Sequence, residues 1–492
     1  MTSVRRALVL SLLERYLLIV LALASNIILA RLLTPEQIGI YSVSLAVIGI
    51  AQVLRDFGIG NYLIQAKELD EGHVRTAFGL SLIIGGSLFV FVAAVAPSAA
   101  DFYGEGRMVS TLRISALNFI VLPFCTVSMA LLRREMRFQR LLFVTLAAAV
   151  LGFAVSVGLA LNGLGPDSMA WGAVAMNVAT GIGAWLAREQ RQLLLPSLSH
   201  WRALLHFGAH SSATSVVTTI SMDINDLALG RILGFAPVAI FSRAQGLASM
   251  FSRDLLAAVR NVALPAYARV HREGLPVEPQ HVSSVAGVTA VAWPFFGFLA
   301  LFPLDVLRLL YGTQWDAAAP LVLPLALAGA LYATSSLVSS VLIAVGRVEL
   351  VTRVELVFQP LRAGLIVIAA LVFQSLMACA LAYMASLLLY APLYYRIKQR
   401  CLPTDWPAMR NALGRSGLVA LSSLALPAML SLAAGWSRDE PLPLAWFAGA
   451  IAACALVWVL ALQWLRHPLA GDPLVQRVLR RLPLLDRGRR EA

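Results

Sequence analysis

Leu29-Ala30-Arg31-Leu32-Leu33, running on to Ile40-Tyr41-Ser42, returns two hundred residues later as Leu229-Gly230-Arg231-Ile232-Leu233 and Ile240-Phe241-Ser242. Each copy sits between two long apolar segments. The correspondence extends outward from there. Asn26 lines up with Asp226, and Arg55-Asp56 has a near-counterpart in Arg253-Asp254, slipped by two positions. A membrane chain that repeats itself at half-length is expected to form two bundles facing each other, the architecture of proteins that work by alternating access.

Composition puts the chain in a membrane. Of 492 residues 59% are hydrophobic, and the mean hydropathy is +0.78, outside the range of soluble globular domains. Apolar runs of about 20 residues, enough to span hydrocarbon, recur throughout. They fall at about 9–30, 38–62, 77–97, 110–132, 141–161, 169–187, 205–230, 235–262, 284–303, 317–344, 351–373, 376–395, 412–434 and 444–465. The expected fold is therefore an all-α polytopic membrane protein with about 14 transmembrane helices. Residues 1–200 form an N-lobe of helices one to six, and 201–400 a C-lobe of helices seven to twelve. Residues 401–466 hold a final pair, and 467–492 a basic tail. Both halves start on the same side, so their pseudo-two-fold axis should lie along the membrane normal. The first helix pair of each lobe carries the repeat and should line the cleft.

The net charge of +13 invites a nucleic-acid reading, but its distribution argues against one. Lys and Arg gather at the N-terminus, in the even-numbered loops and at the C-terminus, and are scarce in the odd-numbered loops. Arg133, Arg134, Arg137 and Arg140 form one cluster, and Arg396, Lys398, Arg400, Arg410 and Arg415 another. This asymmetry predicts cytoplasmic loops and places both termini in the cytoplasm. Arg5 and Arg6 lead into a full-length span, so a cleaved leader is not expected. The tail, with Arg477, Arg480, Arg481, Arg487, Arg489 and Arg490, reads as a solvated segment or a short helix on the inner leaflet.

Several chemistries find no residues to carry them. The two lysines follow Ala66 and Ile397, so no Gly-Lys-Ser/Thr phosphate loop exists. Cys125, Cys379, Cys401 and Cys454 are scattered and form no disulfide framework or metal motif. His206 and His210 share a helix face, but no third ligand accompanies them, so a metal is not expected. Asp223-Ile224-Asn225-Asp226 is the nearest approach to a transferase Asp-x-Asp pair, and it lies inside a span. The external loops are short, which weighs against a membrane polymerase or ligase. The chain is not expected to be an enzyme.

Charges inside the spans remain. Each costs roughly 2.5–3.5 kcal/mol at a helix centre, so it needs a cavity or a partner. Arg55, Asp56, Arg253 and Asp254 lie in the cytoplasmic halves of helices two and eight. Structurally, Arg55 would pair with Asp254 and Asp56 with Arg253; functionally, the arginines would meet an anion at the cytoplasmic entrance. Arg243 and Arg362 have no acid within a turn, and we expect them to project into the cavity and hold the pyrophosphate. The planar guanidinium fork suits phosphate. Asp223 and Asp226, three apart on one face, are candidates to carry a coupling ion, or else to hydrogen-bond to Arg231 or Arg243.

The run Ser25–Tyr41, containing Leu29-Ala30-Arg31-Leu32-Leu33-Thr34-Pro35-Glu36 and Gly39-Ile40-Tyr41, then Arg55-Asp56-Phe57-Gly58-Ile59-Gly60, resembles the Wzx-type (WzxC-like) polysaccharide flippases of the multidrug/oligosaccharide-lipid/polysaccharide exporter superfamily. Tyr311-Gly312-x-x-Trp315 and Gly346-Arg347 look alike too. The resemblance covers roughly residues 1–400. It implies two lobes around a central cavity in a bacterial inner (cytoplasmic) membrane. It also implies a substrate, an oligosaccharide on undecaprenyl pyrophosphate, flipped from the cytoplasmic to the periplasmic leaflet for exopolysaccharide, capsule or O-antigen assembly. Implied partners are membrane lipid, a polysaccharide polymerase and a chain-length regulator, with no nucleic acid. No cofactor is expected beyond coupling to an H+ or Na+ gradient. An ion-coupled multidrug exporter of the same superfamily is the alternative, although intramembrane cations that equal or outnumber the acids favour an anionic substrate. The family does not fix which arginines bind the head group.

Overall fold

The computed structural model describes residues 2–55, 59–65, 70–188, 195–199, 201, 223–435 and 438–471, with side chains described for all of these except 2–13, 53, 54, 61, 65, 253 and 254. The protein is all-α, with no strand among the described residues. Its helices run α1 (Thr2–Leu32), α2 (Pro35–Arg55), α3 (Ile59–Gln65), α4 (Glu71–Tyr103), α5 (Arg107–Arg134), α6 (Phe138–Leu161) and α7 (Pro166–Ala187). Residues 223–232 are helical and are termed α8. Then come α9 (Phe235–Met250), a π-helical turn (Phe251–Leu255), α10 (Leu256–Arg272), α11 (Glu278–Leu301), α12 (Pro303–Leu310), α13 (Ala319–Ser335), α14 (Val338–Ala344), α15 (Val348–Phe373), α16 (Leu376–Lys398), α17 (Trp406–Ala433) and α18 (Leu444–Trp464).

Among the described residues, eleven helical segments are long and apolar enough to cross a membrane. They correspond to the expected spans other than 38–62, 205–230 and 235–262. The reason differs from one to the next. Residues 202–222, most of the seventh expected span, lie outside the described residues, as do His206 and His210. The second span is described as α2 and α3, with 56–58 between them, and the eighth changes from α to π geometry at Phe251. Arg253-Asp254 therefore sits where the helix leaves regular α geometry, and Asp56 lies outside the described residues.

The chain divides into two compact units, Met1–Ala239 and Ile240–Ala492. In the first, α6 packs on α7, α7 on α5 and α5 on α4, with α1 along α6. Small residues set these distances. A Cβ at Gly172 would lie 1.7 Å from Ser156 Oγ, and one at Gly152 2.8 Å from the Gly172 carbonyl. Such close approach is how helices gain packing energy where lipid is as apolar as the side chains. In the second unit α11 packs on α17 and α13, and α16 on α13 and α15. Its core joins Val282, Val285, Val338, Leu342, Phe358 and Leu387 to three tyrosines, Tyr390, Tyr394 and Tyr395. The outer faces stay apolar: Leu421 and Leu432 on α17 and Val372 on α15 are largely exposed, as lipid contact requires.

Loop polar groups are pinned by side chains. Asp70 caps α4 by accepting from the His73 amide, and Asp405 caps α17 by accepting from the Ala408 amide. Lys398, fully buried at the end of α16, donates to Glu278 and to Thr404 Oγ1. Arg438 pairs with Asp305 at 2.5 Å, closing the loop between α17 and α18 onto α12. His467, past α18, completes a network in which nothing is left over. The Leu469 amide donates to its Nδ1 (3.2 Å), so Nε2 carries the proton towards Ser416 Oγ (3.1 Å). Thr289 also reaches Ser416, which reaches the Ala286 carbonyl.

Candidate functional site

In the first unit, the two copies of the repeated phrase lie against each other. A Cβ at Gly39 would stand 1.9 Å from the Phe235 carbonyl oxygen, one at Gly230 2.7 Å from Val43 Cγ2, and one at Gly49 2.2 Å from Asp223 Oδ2. As the residue number falls from 49 to 39 on α2, its partner rises from 223 to 235. The helices thus run antiparallel, in contact over about three turns. The Tyr103 hydroxyl donates to the Leu227 carbonyl (3.1 Å), and Arg231 lies over the Phe102 ring (5.2 Å). Asp223 meets α2 at Gly49, and Asp226 is half-buried one turn on.

Arg243 leaves α9 within the second unit and is 9% exposed. Its guanidinium lies 5.0 Å from the Tyr311 ring centre and 4.9 Å from that of Trp315. The backbone explains the spacing. Gly312 has φ of 97°, a region side-chain-bearing residues avoid, and the turn it permits brings fully buried Trp315 to 6.4 Å from Tyr311. The Tyr-Gly-x-x-Trp motif is thus a receptacle for Arg243. This arginine lacks an acidic neighbour in sequence because aromatic faces hold it.

Arg362 lies near the middle of α15 and belongs to a cluster that sequence reasoning did not assemble. Its Nη2 donates to Gln359 Oε1 (2.5 Å), and its guanidinium lies over the Tyr383 ring of α16 (5.6 Å). Gln359 Nε2 donates in turn to Glu355 Oε2 (2.6 Å). The other oxygen of Glu355 accepts from the hydroxyls of Tyr390 (2.8 Å) and Tyr394 (2.7 Å). Tyr332 of α13 stacks near Tyr390, with ring centres 5.8 Å apart, and its hydroxyl accepts from Arg260 Nη2 of α10 (3.2 Å). Four helices therefore converge on one polar core inside the membrane. The available signal was periodicity. Glu355, Gln359 and Arg362 fall at i, i+4 and i+7, and Tyr383, Tyr390 and Tyr394 at i, i+7 and i+11, so each set forms a stripe on an otherwise apolar helix.

The remaining expected site residues are placed less fully. Arg55 is the half-buried last residue of α2. Arg253 and Asp254 lie in the π-helical turn, but their side chains are outside the described set, as are Asp56, Gly58 and the arginines of the tail. Among the described residues no three His, Cys, Asp or Glu side chains are grouped to hold a metal.

The sequence profile of a family described as polysaccharide biosynthesis protein matches residues 28–320, more than half of the chain. The chain belongs to this family. Its relatives include the lipopolysaccharide biosynthesis protein WzxC of Escherichia coli K12, 27% identical over 338 residues, 68% of each chain. The WzxC-like resemblance of the opening helices is thereby borne out. Among solved structures, the lipid II flippase MurJ in an inward closed conformation superposes with a TM-score of 0.69, covering 92% of this chain and 98% of that one at 12% identity. An inward-facing multidrug resistance MATE transporter of the MOP superfamily gives 0.59, covering 77% of this chain and 95% of that one at 18% identity. At these identities the likeness is one of fold. The chain is a multi-pass membrane protein with the MurJ- and MATE-like all-α architecture.

Proposed function

We propose that this protein is a flippase that carries an oligosaccharide on undecaprenyl pyrophosphate from the cytoplasmic to the outer leaflet of a bacterial cytoplasmic membrane, as a step in surface polysaccharide assembly. Membership of the polysaccharide biosynthesis family carries the reading, and the fold shared with a lipid II flippase supports it. The physical problem is the head group. A diphosphate bearing many hydroxyls cannot enter hydrocarbon without partners, since each unpaired polar group costs several kcal/mol and an unpaired charge far more. The protein must supply those partners within its spans while leaving the prenyl chain in lipid. The cluster around Glu355 is of that kind, being a set of polar side chains retained within spans despite their insertion cost. Its role in this reading is substrate contact and not bond-making catalysis.

We assign Arg55 in the first unit and Arg253 in the second, near-counterparts in the two copies of the repeat, each to meeting the anionic head group from the cytoplasmic side. Both termini are assigned to the cytoplasm on the loop charges. A multidrug exporter shares the fold. However, organic cations are poorly served by a core in which Arg260 and Arg362 flank one carboxylate. The test is export in a flippase-null strain, together with scrambling of fluorescent undecaprenyl-diphosphate oligosaccharide in proteoliposomes. The protein should restore both, and Arg55→Ala and Arg253→Ala should lose both while remaining in the membrane. Wild-type protein that moves a lipophilic cation and leaves the glycolipid untouched would establish the exporter instead.

A further inference from the structure

We infer that the core formed by Tyr332, Glu355, Gln359, Arg362 and Tyr383 is the subsite that binds the sugar residues of the cargo, distinct from the arginines that meet its pyrophosphate. The inference rests on the flippase reading and adds to it a place for the glycan.

Three observations carry it. The first is unused hydrogen-bonding capacity. An ionised carboxylate offers about four acceptor positions, and Glu355 fills three with Tyr390, Tyr394 and Gln359. Gln359 uses one donor and one acceptor, leaving one of each. Arg362 gives Nη2 to Gln359 while its Nε is buried without a partner, and the Nε of Arg260 is in the same condition. Tyr332 accepts from Arg260, so its own proton is left to donate. The core thus presents donors and acceptors together. Contrast the network at His467, where every ring nitrogen and hydroxyl is committed.

The second observation is charge. A site for phosphate or for another anion would be disfavoured by Glu355, a carboxylate joined to Arg362 through one amide. A site for a cation would be disfavoured by the two guanidiniums. A neutral ligand rich in hydroxyls tolerates both signs and can donate to Glu355 while accepting from Arg362. The third is the arrangement of rings. Tyr390 and Tyr394 are buried, whereas Tyr332 and Tyr383, packed against the same cluster, are half-buried. A sugar ring has apolar C–H faces and a polar rim. Half-open aromatic faces beside planar carboxylate, amide and guanidinium groups match both parts of it.

The test uses the full chain in nanodiscs and three lipids. These are undecaprenol, undecaprenyl diphosphate, and undecaprenyl diphosphate bearing a trisaccharide of neutral hexoses. Wild-type protein should bind the trisaccharide lipid more tightly than the sugarless diphosphate, and the diphosphate more tightly than undecaprenol. Gln359→Leu and Tyr383→Leu should weaken the trisaccharide lipid about tenfold, the loss of one to two net hydrogen bonds or a stacked ring, and change the sugarless diphosphate less than about twofold. Tyr332→Phe, which keeps the ring and removes the hydroxyl, should give a smaller loss on the same lipid alone and guards against misfolding of the larger changes. Equal weakening on both diphosphates would make the core an anion site and overturn the inference. So would wild-type protein that does not distinguish the two, or variants that bind all three lipids normally. If wild-type protein binds neither diphosphate more tightly than undecaprenol, the flippase reading itself fails and takes the subsite with it.

Discussion

The seam between α2 and α8 and the core around Glu355 are both places where helices meet inside the membrane, and they are built in opposite ways. At the seam the side chains have been reduced to hydrogen. Gly39 lets α2 approach the Phe235 backbone at the start of α9, and Gly49 and Gly230 make room for the Asp223 and Val43 side chains, so that added Cβ atoms would stand 1.9–2.7 Å from the neighbouring atoms. At the core the side chains are large and polar, and helices α10, α13, α15 and α16 meet through tyrosine rings and charged groups. The difference teaches where each kind of energy comes from. Close backbone contact supplies dispersion that lipid cannot match. Polar clusters supply little net stability once desolvation is counted, so their persistence within spans points to a ligand.

The sharpest way to break this comparison is to add atoms at the seam. At Gly39 the obstacle is the Phe235 backbone oxygen, which cannot rotate away. Gly39→Ala should cost about 3 kcal/mol, the upper range for overpacking, and Gly39→Leu should prevent folding. Thermal unfolding in detergent, followed by size-exclusion fluorescence, measures both. Gly49→Ala meets a movable carboxylate oxygen and should cost much less. Equal losses at the two positions would mean that the seam does not govern stability.

A closed polar network should behave like the seam and not like the core. Burial, with the Arg415 charge second, holds the His467 imidazole down at about 4, below its ordinary 6.5. The unfolded imidazole takes a proton first. The neutral network therefore contributes fully above pH 6.5, and that contribution is lost as pH falls from 6.5 towards 4, at about 1.4 kcal/mol per pH unit and about 3 kcal/mol in all. The hydrogen-exchange protection factor of the amides around Leu469–Gly471 should fall as pH is lowered across that window. The protection factor of the same segment in His467→Gln should show no such pH dependence.

Arg243 separates a structural arginine from a substrate one. Held between Tyr311 and Trp315, Arg243→Ala should lower stability by about 2 kcal/mol, the worth of a desolvated cation–π contact. Transport should fall with the amount of folded protein, and transport per folded molecule should hold. A loss per folded molecule at unchanged stability would put this guanidinium back in the substrate path. The smallest stability effect belongs to Tyr383→Phe, within about 0.5 kcal/mol because the hydroxyl is not buried in a network. Its transport rate should hold because the ring is kept, whereas Tyr383→Leu should lose transport, which is the behaviour that distinguishes the core from the seam.

Much of this protein is legible in its sequence because hydrophobic length and loop charge are local quantities. Runs of about 20 apolar residues announce helices wherever they occur, and eleven of the expected spans appear as helices able to cross a membrane. The run Ser25–Tyr41 with Arg55–Gly60 carries the family resemblance in residues close together in the chain. What sequence could not supply was partnership across large separations. Arg243 and Trp315 are brought together by a turn at Gly312, and Glu355 and Tyr394 by the packing of α15 on α16. An arginine without an acid nearby in sequence looked like a group awaiting an anion. Tertiary structure gave one such arginine two aromatic faces and the other an amide and a ring, because what a buried charge requires is a neighbour in space and the chain can supply it from any distance.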